Sequence, residues 1–348
     1  MNDLTNILQH YKIPNDWLKI TTIDVHAAGE PLRIITSGIP ELPGDTILQK
    51  RQFVMENYDN LRKQLMWEPR GHADMYGCII TQPVSEEADF GVIFMHNEGY
   101  SSMCGHGIIA VTKVAIESGL VKIVEPRTTI KIESPAGLIT TIGHIKNGKV
   151  GKVSFQNIPS YVVALDNEIE IPEYGKIKYD LAFGGAYYAF VQVKDFELTC
   201  YPNDIDQLIH VGREVKRAVS NSVQIKHPFN DELSFLYGTI FIDKPDNSDS
   251  HSRNVCIFAD GEVDRSPTGT GVSGRLAIHY VKGEISIDEP IIIESVIGSK
   301  FIGKVLKETM FSQYKAIIPE ITGEAFITGK HEFTIDPDDS IQGGVFLR

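Results

Sequence analysis

Two short segments of this sequence share a pattern of glycines that leads into a predicted helix. They are CGHGIIAVTKVAIESG, which starts at Cys104, and TGTGVSGRLAIHYVKG, which starts at Thr268, about 164 residues later. Each begins x-Gly-x-Gly, continues with helical periodicity, and reaches a glycine 15 positions on, at Gly119 or Gly283, where a helix C-cap is expected. A repeat at this spacing in a chain of 348 residues predicts two related halves, each with one helix that follows a glycine-rich turn.

Short β-branched runs dominate the rest of the chain, so strands should outnumber helices. The predicted strands are Ile20–Asp24, Thr128–Ser134, Leu138–Ile145, Lys149–Asn157, Ala186–Val193, Thr239–Ile242, Asn254–Ala259 and Pro290–Val296. The predicted helices are Leu48–Trp67, Gly105–Ser118, Asp204–Asn221 and Gly269–Val281. Asn147-Gly148 lies between two alternating runs and predicts a hairpin. This pattern favours an α+β architecture over a doubly wound parallel sheet.

The chain is long enough for two domains, each with its own core. A strand run meets Pro159, which indicates a boundary near residues 157–160. We expect a first domain of residues 1–157 together with 325–348, which carries the Cys104 turn. The second domain, residues 158–324, carries the Thr268 turn.

The charge balance excludes several kinds of partner. Lys and Arg number 33 against 46 Asp and Glu, a net charge of −13, which suits neither nucleic acid nor an anionic membrane surface. No apolar run is long enough to span a membrane, and the N-terminus lacks the pattern of a secretory signal. We therefore expect a cytoplasmic protein, in which local dipoles hold any anionic substrate.

The four cysteines, Cys78, Cys104, Cys200 and Cys256, lie far apart in the sequence without a C-x-x-C pair. Their spacing suggests neither a zinc site nor a disulfide framework. Cys78, Cys200 and Cys256 have strand-like apolar neighbours and are expected to be small buried residues. Cys104 differs, because it stands at the start of a predicted helix.

A turn of small residues that leads into a helix exposes unpaired N–H groups at the positive end of the helix dipole. Such an end is an anion site that needs no Lys or Arg, and two of them could hold one carboxylate from both sides. The same position lowers the pKa of a thiol. Cys104 is therefore a candidate nucleophile, or a base toward the Cα–H of an amino acid; the alternative is a residue that only packs tightly.

Two residues near the turns have two interpretations each, and a third has one. His106 could polarise the Cys104 thiol or bind the ligand, or it could cap the turn at the surface. Asp264 could accept hydrogen bonds from an ammonium group or ring nitrogen, or merely cap the second turn. Arg265 is expected to be structural, in an ion pair with a carboxylate across the domain.

Several segments closely resemble the proline racemase family, which has the diaminopimelate epimerase-like fold. They are DVHAAGEP (24–31), EPRGHADMYG (68–77), FMHNEGYSSMCGHG (94–107), FGGAYYAFV (183–191), FADGEVDRSPTGTG (258–271) and GEAFITGKHEF (323–333). The resemblance spans nearly the whole chain. It implies two pseudo-symmetric domains, each with strands wrapped around a central helix, and an active site in the cleft between them.

The resemblance also implies roles for individual residues. Cys104 matches the first of two cysteines that, in racemases and epimerases of the family, act on opposite faces of Cα, whereas Thr268 stands where the second would be. The substrate carboxylate would be held by the helix-end amides of Gly105, His106, Gly269 and Thr270. Asp264 and His106 would face the ring nitrogen, with Tyr76 and Phe258 as apolar walls. Neither a metal nor pyridoxal phosphate is implied, and the family suggests a homodimer.

Thr268 favours one activity within the family. A hydroxyl with no strong base in SPTGTG cannot exchange a proton with Cα, so the site has one base. The Cys-plus-Thr pattern is similar to that of family members that dehydrate trans-3-hydroxy-L-proline. In that isomer the 3-hydroxyl shares a face with the Cα hydrogen, so one thiol could remove the proton and protonate the departing hydroxyl. The enamine formed would tautomerise to Δ1-pyrroline-2-carboxylate.

Three alternatives remain open at this stage. One is a proline racemase or 4-hydroxyproline epimerase in which water relayed by Thr268 replaces the second base. Another is a non-catalytic amino-acid-binding protein, against which the intact Cys104, His106 and Asp264 argue. The third is a cysteine hydrolase that uses Cys104 and His106, although residues so close in one turn rarely give the required geometry.

Overall fold

In the computed structural model, which describes residues 2–347, strands outnumber helices as the sequence predicts. The α-helices are α1 (Asn2–Gln9), α2 (Ile47–Asn57), α3 (Asp59–Met66), α4 (Gly105–Glu117), α5 (Ile205–Ser222) and α6 (Gly269–Val281). The strands are β1 (Leu18–Ala27), β2 (Glu30–Ser37), β3 (Tyr76–Thr81), β4 (Phe90–His96), β5 (Tyr100–Ser101), β6 (Arg127–Ser134), β7 (Gly137–Lys146), β8 (Lys149–Gln156), β9 (Ser160–Ile171), β10 (Gly175–Phe183), β11 (Tyr187–Gln192), β12 (Leu236–Asp243), β13 (Ser252–Phe258), β14 (Glu262–Asp264), β15 (Ile291–Glu294), β16 (Lys300–Phe311) and β17 (Tyr314–Ile335).

The first half of the chain, together with β17, forms a closed ring of strands. The neighbours around this ring are, in order, β1, β2, β3, β4, β6, β7, β8 and β17, which pairs back to β1. The β2–β3 and β4–β6 pairs are parallel, and the others are antiparallel. Closure leaves these ring strands paired on both sides, which removes exposed sheet edges.

The second half repeats this ring with the same order of pair types. Its neighbours are β9, β10, β11, β12, β13, β15, β16 and β17, which pairs back to β9. Again two parallel pairs, β11–β12 and β13–β15, are separated by one antiparallel pair. The short strands β5 and β14 occupy matching places, each shortly before a central helix. The predicted α+β fold with two pseudo-symmetric halves is confirmed.

Each ring encloses one of the two helices that the sequence repeat predicts. Helix α4 packs against strands of the first ring and α6 against strands of the second, and both rings include β17. Most of α4 and of α6 is buried on every face, as expected for a helix inside a ring of strands. The repeat therefore places two helix N-termini at the junction between the halves.

The two helix ends meet at a pair of glycines. A Cβ atom on Gly105 would lie 2.6 Å from the Cα of Gly269, and one on Gly269 would lie 2.8 Å from the Cα of Gly105. Any side chain at either position would separate the helices, so the glycine after Cys104 and the one after Thr268 are required by close backbone approach. The shared x-Gly pattern of the repeat has this steric cause.

Two local predictions had different outcomes. The Asn147-Gly148 hairpin is confirmed: both residues have positive φ, 55° and 72°, and they join the paired residues Lys146 and Lys149. The single helix predicted over Leu48–Trp67 is wrong, because the chain leaves helical geometry at Tyr58 (φ −132°) and forms α2 and α3. This break lets apolar residues of both helices lie buried in one cluster.

Strand β17 belongs to both halves. Its start pairs with β16 and β9, its middle with β8, and its end with β1. The division that the sequence suggests, at residues 157/158 and 324/325, stays a prediction.

Candidate active site

Cys104 is the N-cap of α4. Its backbone is extended (φ −139°, ψ 109°), and its Sγ accepts the Gly107 N–H at 3.3 Å. Sγ also lies 3.2 Å from Nδ1 of His106, and both side chains are buried. The structure therefore brings the imidazole to the thiol, which is the first of the two roles that the sequence leaves open for His106. The surface-capping interpretation is wrong, since His106 is only 4% exposed.

Thr268 is the N-cap of α6, but its geometry differs from that of Cys104. Its backbone has φ 66° and ψ 95°, a region that β-branched residues rarely adopt. Its side chain makes no cap hydrogen bond, and Oγ1 is buried without a hydrogen-bond partner among residues 2–347. The two halves thus lose their symmetry at the position where the sequences differ.

A narrow cavity of about 20 Å³ lies beside the two helix ends. It is lined by Tyr76, Met103, Cys104, Gly105, His106, Tyr188, Tyr237, Cys256, Phe258, Asp264, Thr268, Gly269 and Thr270. All nine site residues that the sequence predicts are in this set, although their roles toward a substrate stay predictions. A cavity of this size holds about one water molecule, so an amino acid can enter only if the walls separate.

Burial dominates the electrostatics of this cavity. It raises the pKa of the Cys104 thiol well above its ordinary value, and the hydrogen bond from Gly107 offsets this only in part. The expectation that the helix end lowers this pKa is therefore wrong for the closed cavity, because desolvation outweighs the dipole. Burial also lowers the pKa of His106 to about 3, so the imidazole is neutral and can accept a hydrogen bond from the thiol.

Asp264 fits both interpretations that the sequence left open. Its Oδ1 accepts the Ser266 N–H at 2.7 Å, which caps the second turn, and its side chain lines the cavity. Burial raises the pKa of Asp264 to about 6, and the hydrogen bonds from Ser266 and the nearby Thr268 hydroxyl group oppose this rise. Asp264 is therefore ionised at neutral pH and offers a buried negative charge to a cationic ligand group.

Arg265 forms ion pairs with carboxylates, as predicted, and these pairs join the two halves. Its guanidinium lies 3.5 Å from Glu30 and 3.4 Å from Asp74, both in the first half, and its backbone N–H donates to Glu30 at 2.7 Å. The buried Glu30 carboxyl therefore holds the backbone next to Asp264. Sequence reasoning did not identify Glu30, because nothing in a lone AAGEP motif shows what the carboxyl contacts.

The walls of the cavity are aromatic but not wholly apolar. The Tyr76 and Phe258 rings lie 6.1 Å apart, and Tyr76 meets His106 edge-on at 4.9 Å. The Tyr76 hydroxyl donates to Ser101 at 2.6 Å and lies 3.2 Å from the Tyr237 hydroxyl. Tyr76 thus presents a ring to the cavity and keeps its polar end bonded, which refines its predicted role as an apolar wall.

The sequence did not identify four of the cavity residues, namely Met103, Tyr188, Tyr237 and Cys256. A signal existed for Cys256, because it stands two residues before Phe258 on β13 and alternate residues of a strand share a face. Tyr188 contacts the site through its hydroxyl, 2.7 Å from Oγ1 of Thr270. Only the folded strands bring Tyr188 and Tyr237 to the same wall.

The described part of the chain shows no metal-binding cluster. Within residues 2–347, no group of three or more His, Cys, Asp or Glu side chains is placed to hold a metal ion. None of the helices in this range combines the length and the apolar character needed to cross a membrane.

Two closed strand rings whose central helices meet at a cavity define the diaminopimelate epimerase-like class of protein. This chain belongs to the proline racemase family, whose sequence model, described as "Proline racemase", matches residues 22–346. A protein of Colwellia psychrerythraea named trans-3-hydroxy-L-proline dehydratase is 49% identical to it, over 95% of this chain and 94% of the relative. One of Bacillus thuringiensis with the same name is 48% identical, over 94% and 98%.

A solved structure agrees with this assignment. It is described as a hydroxyproline epimerase from Agrobacterium vitis with bound trans-4-hydroxy-L-proline. It superposes with a TM-score of 0.88 at 31% sequence identity, and the match covers 95% of this chain and 96% of the other.

Proposed function

We propose that this protein dehydrates trans-3-hydroxy-L-proline to Δ1-pyrroline-2-carboxylate, with Cys104 as the base. The observation that carries the proposal is a single thiol at one helix end opposite a threonine hydroxyl at the other. The names of the relatives in Colwellia psychrerythraea and Bacillus thuringiensis support this substrate and reaction.

The substrate is held at its two charged ends. The first N–H groups of a helix have no partner within the helix, and the first residues of α4 and α6 line the same cavity. They bind the carboxylate through the backbone of Gly105, His106, Gly269 and Thr270. The Asp264 carboxylate accepts hydrogen bonds from the ring ammonium group. These contacts place Cα between Cys104 and Thr268.

The elimination takes place on the Cys104 face. The thiolate removes the Cα proton, the electron pair forms the C2–C3 double bond, and the C3–O bond breaks. The new Cys104 S–H protonates the departing hydroxyl on the same face, so that water leaves and the thiolate returns. The ring nitrogen, an ammonium group in the substrate, gives one of its two protons to solvent through Asp264, so that the product in the site is an enamine with one N–H and Asp264 is ionised again. Thr268 takes no Cα proton, because its hydroxyl is far too weak an acid to be ionised.

Thiolate formation depends on the bound substrate. In the closed cavity burial keeps the Cys104 thiol protonated, with the neutral His106 imidazole 3.2 Å away as the acceptor of its hydrogen bond. An ammonium group brought next to the thiol favours its charged form, and the proton that the thiol loses goes to solvent as the substrate binds. Activation of Cys104 is therefore expected in the complex and not in the free enzyme.

Three substrates test the proposal and its main alternative. Trans-3-hydroxy-L-proline, trans-4-hydroxy-L-proline and L-proline are incubated separately with the enzyme, followed by imine detection and chiral analysis. We expect imine from the first compound alone and no detectable inversion of the other two. Inversion of proline or 4-hydroxyproline without imine formation would instead establish a racemase or epimerase.

Asp264→Asn tests how the ring ammonium group is held. The pKa of Asp264 is about 6, so its carboxylate loses its charge as the pH falls through 6. Below that pH, kcat/KM of the wild type should fall about tenfold per pH unit. His106, with a pKa of about 3, does not titrate in this range. Asn retains the bond to Ser266 but not the charge, so kcat/KM at pH 8 should drop about 10- to 100-fold and the limb near pH 6 should vanish.

Thermal stability distinguishes the binding role of Asp264 from a structural role. The pKa of Asp264 is higher in the folded protein than in the unfolded chain, so its ionisation above about pH 6 costs folding free energy. Asp264→Asn removes this cost, and Tm at pH 8 should stay the same or rise. The exposed Asp260, changed to Asn, is the matched control and should alter neither quantity. An unchanged kcat/KM profile in Asp264→Asn would leave Asp264 with only its capping role.

The homodimer implied by the family and the cytoplasmic location predicted by the sequence stay predictions. Light scattering on the purified protein tests the first. A mass twice the 38.7 kDa of one chain is expected.

A further inference from the structure

A second thiol lies on the Thr268 side of the cavity. Cys256, on β13, is fully buried and lines the same cavity as Cys104. Its strand partner in register is Asp264, and Phe258 shares its face of the strand. Cys256, Asp264 and Thr268 therefore form one polar group on the wall opposite Cys104; we refer to these three residues as the second-face group.

The Thr268 hydroxyl indicates that the second-face group contacts a bound ligand. The side chain is only 5% exposed, and within residues 2–347 Oγ1 makes no hydrogen bond of ordinary length and angle. A buried hydroxyl without a partner is costly, so it points to a ligand atom that completes it. The hydroxyl also lines the same small cavity as Cys256 and Asp264, and it lowers the pKa of both.

Cys256 holds a proton that it can donate. Burial raises the pKa of its thiol well above the ordinary value, and the nearby Asp264 carboxyl raises it further. The Cys256 thiol is therefore an acid at neutral pH and not a base. In the proposed elimination Cys104 carries the proton to the departing hydroxyl, and no donor on the other face is needed. A donor on that face can therefore act only in a later step.

The step that still needs a proton is the conversion of enamine to imine. We propose that Cys256, through the hydroxyl of Thr268, protonates C3 of the enamine from the face opposite Cys104, so that the enzyme itself makes the imine. This inference rests on the proposed function and adds a catalytic residue to it. The Cys104 face is a poor source for this proton, because Cys104 has returned to the thiolate and carries no proton.

The step is balanced without any co-reactant. The S–H bond of Cys256 breaks as Thr268 accepts that proton and passes its own to C3. The electron pair of the C2–C3 double bond forms the new C3–H bond, and the nitrogen lone pair forms the C2–N double bond. The ring N–H proton goes to Asp264, which returns it to the Cys256 thiolate. No net proton is gained or lost.

The face of protonation at C3 tests this proposal. The enzyme turns over trans-3-hydroxy-L-proline in D2O with an excess of a stereospecific NADPH-dependent imine reductase, which traps the imine as L-proline. We expect one deuterium at C3, cis to the carboxylate, in at least about tenfold excess over the trans position. Imine prepared chemically and trapped in the same way gives the ratio for solvent protonation.

Variants assign the proton to Cys256. In Cys256→Ala the cis-to-trans ratio should fall to that of the chemical control, and in Cys256→Ser it should be intermediate. The ratio is measured in the product formed, so a slower variant is as informative as a fast one. Cys200→Ala, a buried cysteine outside the cavity, is the matched control and should keep the wild-type ratio.

Two outcomes overturn the inference while leaving the proposed function intact. One is trans or unselective deuterium at C3 in the wild type with normal loss of substrate. The other is a wild-type ratio in Cys256→Ala. Failure of the wild type to consume trans-3-hydroxy-L-proline overturns the proposed function, and this inference with it.

Discussion

Changing Cys104 to serine should abolish turnover while substrate binding remains. The thiol is the proposed proton carrier for both halves of the elimination, and a serine hydroxyl is too weak an acid to replace it. A positioned acid–base group contributes about 10²- to 10⁴-fold, so kcat should fall at least about a thousandfold when one group serves twice. The helix-end amides remain, so the affinity for pyrrole-2-carboxylate, measured by calorimetry, should change by less than about threefold.

A second cysteine variant and an alkylation experiment are the controls for Cys104→Ser. Cys200→Ala removes a buried thiol outside the cavity and should retain activity. Alkylation by iodoacetamide should be slow in the free enzyme, because the Cys104 thiol is buried and protonated, and pyrrole-2-carboxylate should prevent it. Dehydration by Cys104→Ser within about tenfold of the wild-type rate would remove Cys104 from the mechanism.

The repeat of sixteen residues predicted the architecture because it encodes the part of the fold with the tightest constraint. Gly105 and Gly269 must both be glycine for the helix ends to meet, so the constraint leaves a visible pattern at both places. The residues that follow must suit a helix buried on almost every face, and in both segments most of them are small or apolar. The strand rings carry no comparable signal, since their closure depends on pairings between distant segments such as β17 and β1.

The sequence could not predict how burial changes the chemistry. A helix N-terminus suggests an acidic thiol, but the balance at Cys104 is set by the aromatic and aliphatic groups that exclude water from it, and these come from both halves. The second-face group shows the same limit. Cys256 looks like an ordinary buried strand residue, and only the β13–β14 pairing and the strained turn at Thr268 place it beside a hydroxyl without a partner.

Thr268→Cys should give the enzyme a base on the second face of Cα. The substitution restores a thiol at a helix N-terminus and changes side-chain volume little. Thr268 has φ 66°, so the loss of β-branching relieves strain and does not add any. We expect trace racemisation of proline or epimerisation of 4-hydroxyproline, activities that the wild type should lack. The rates should be low, because misplacement by about an ångström can cost about a hundredfold.

Deuterium exchange at Cα of D-proline in D2O is the most direct measurement of this new base. In the wild type the second face has a hydroxyl and the protonated Cys256 thiol, neither of which removes a Cα proton, so D-proline should keep its hydrogen. In Thr268→Cys the hydrogen should exchange at least about tenfold faster than in the wild type. The new thiol lies near Cys256 and could form a disulfide with it. The assay therefore includes a reductant, and it is repeated with the double variant Thr268→Cys with Cys256→Ala, which cannot form this disulfide. If wild type and variant exchange D-proline equally fast, the second face already has a base, and a one-base site cannot explain why elimination replaces inversion in this protein.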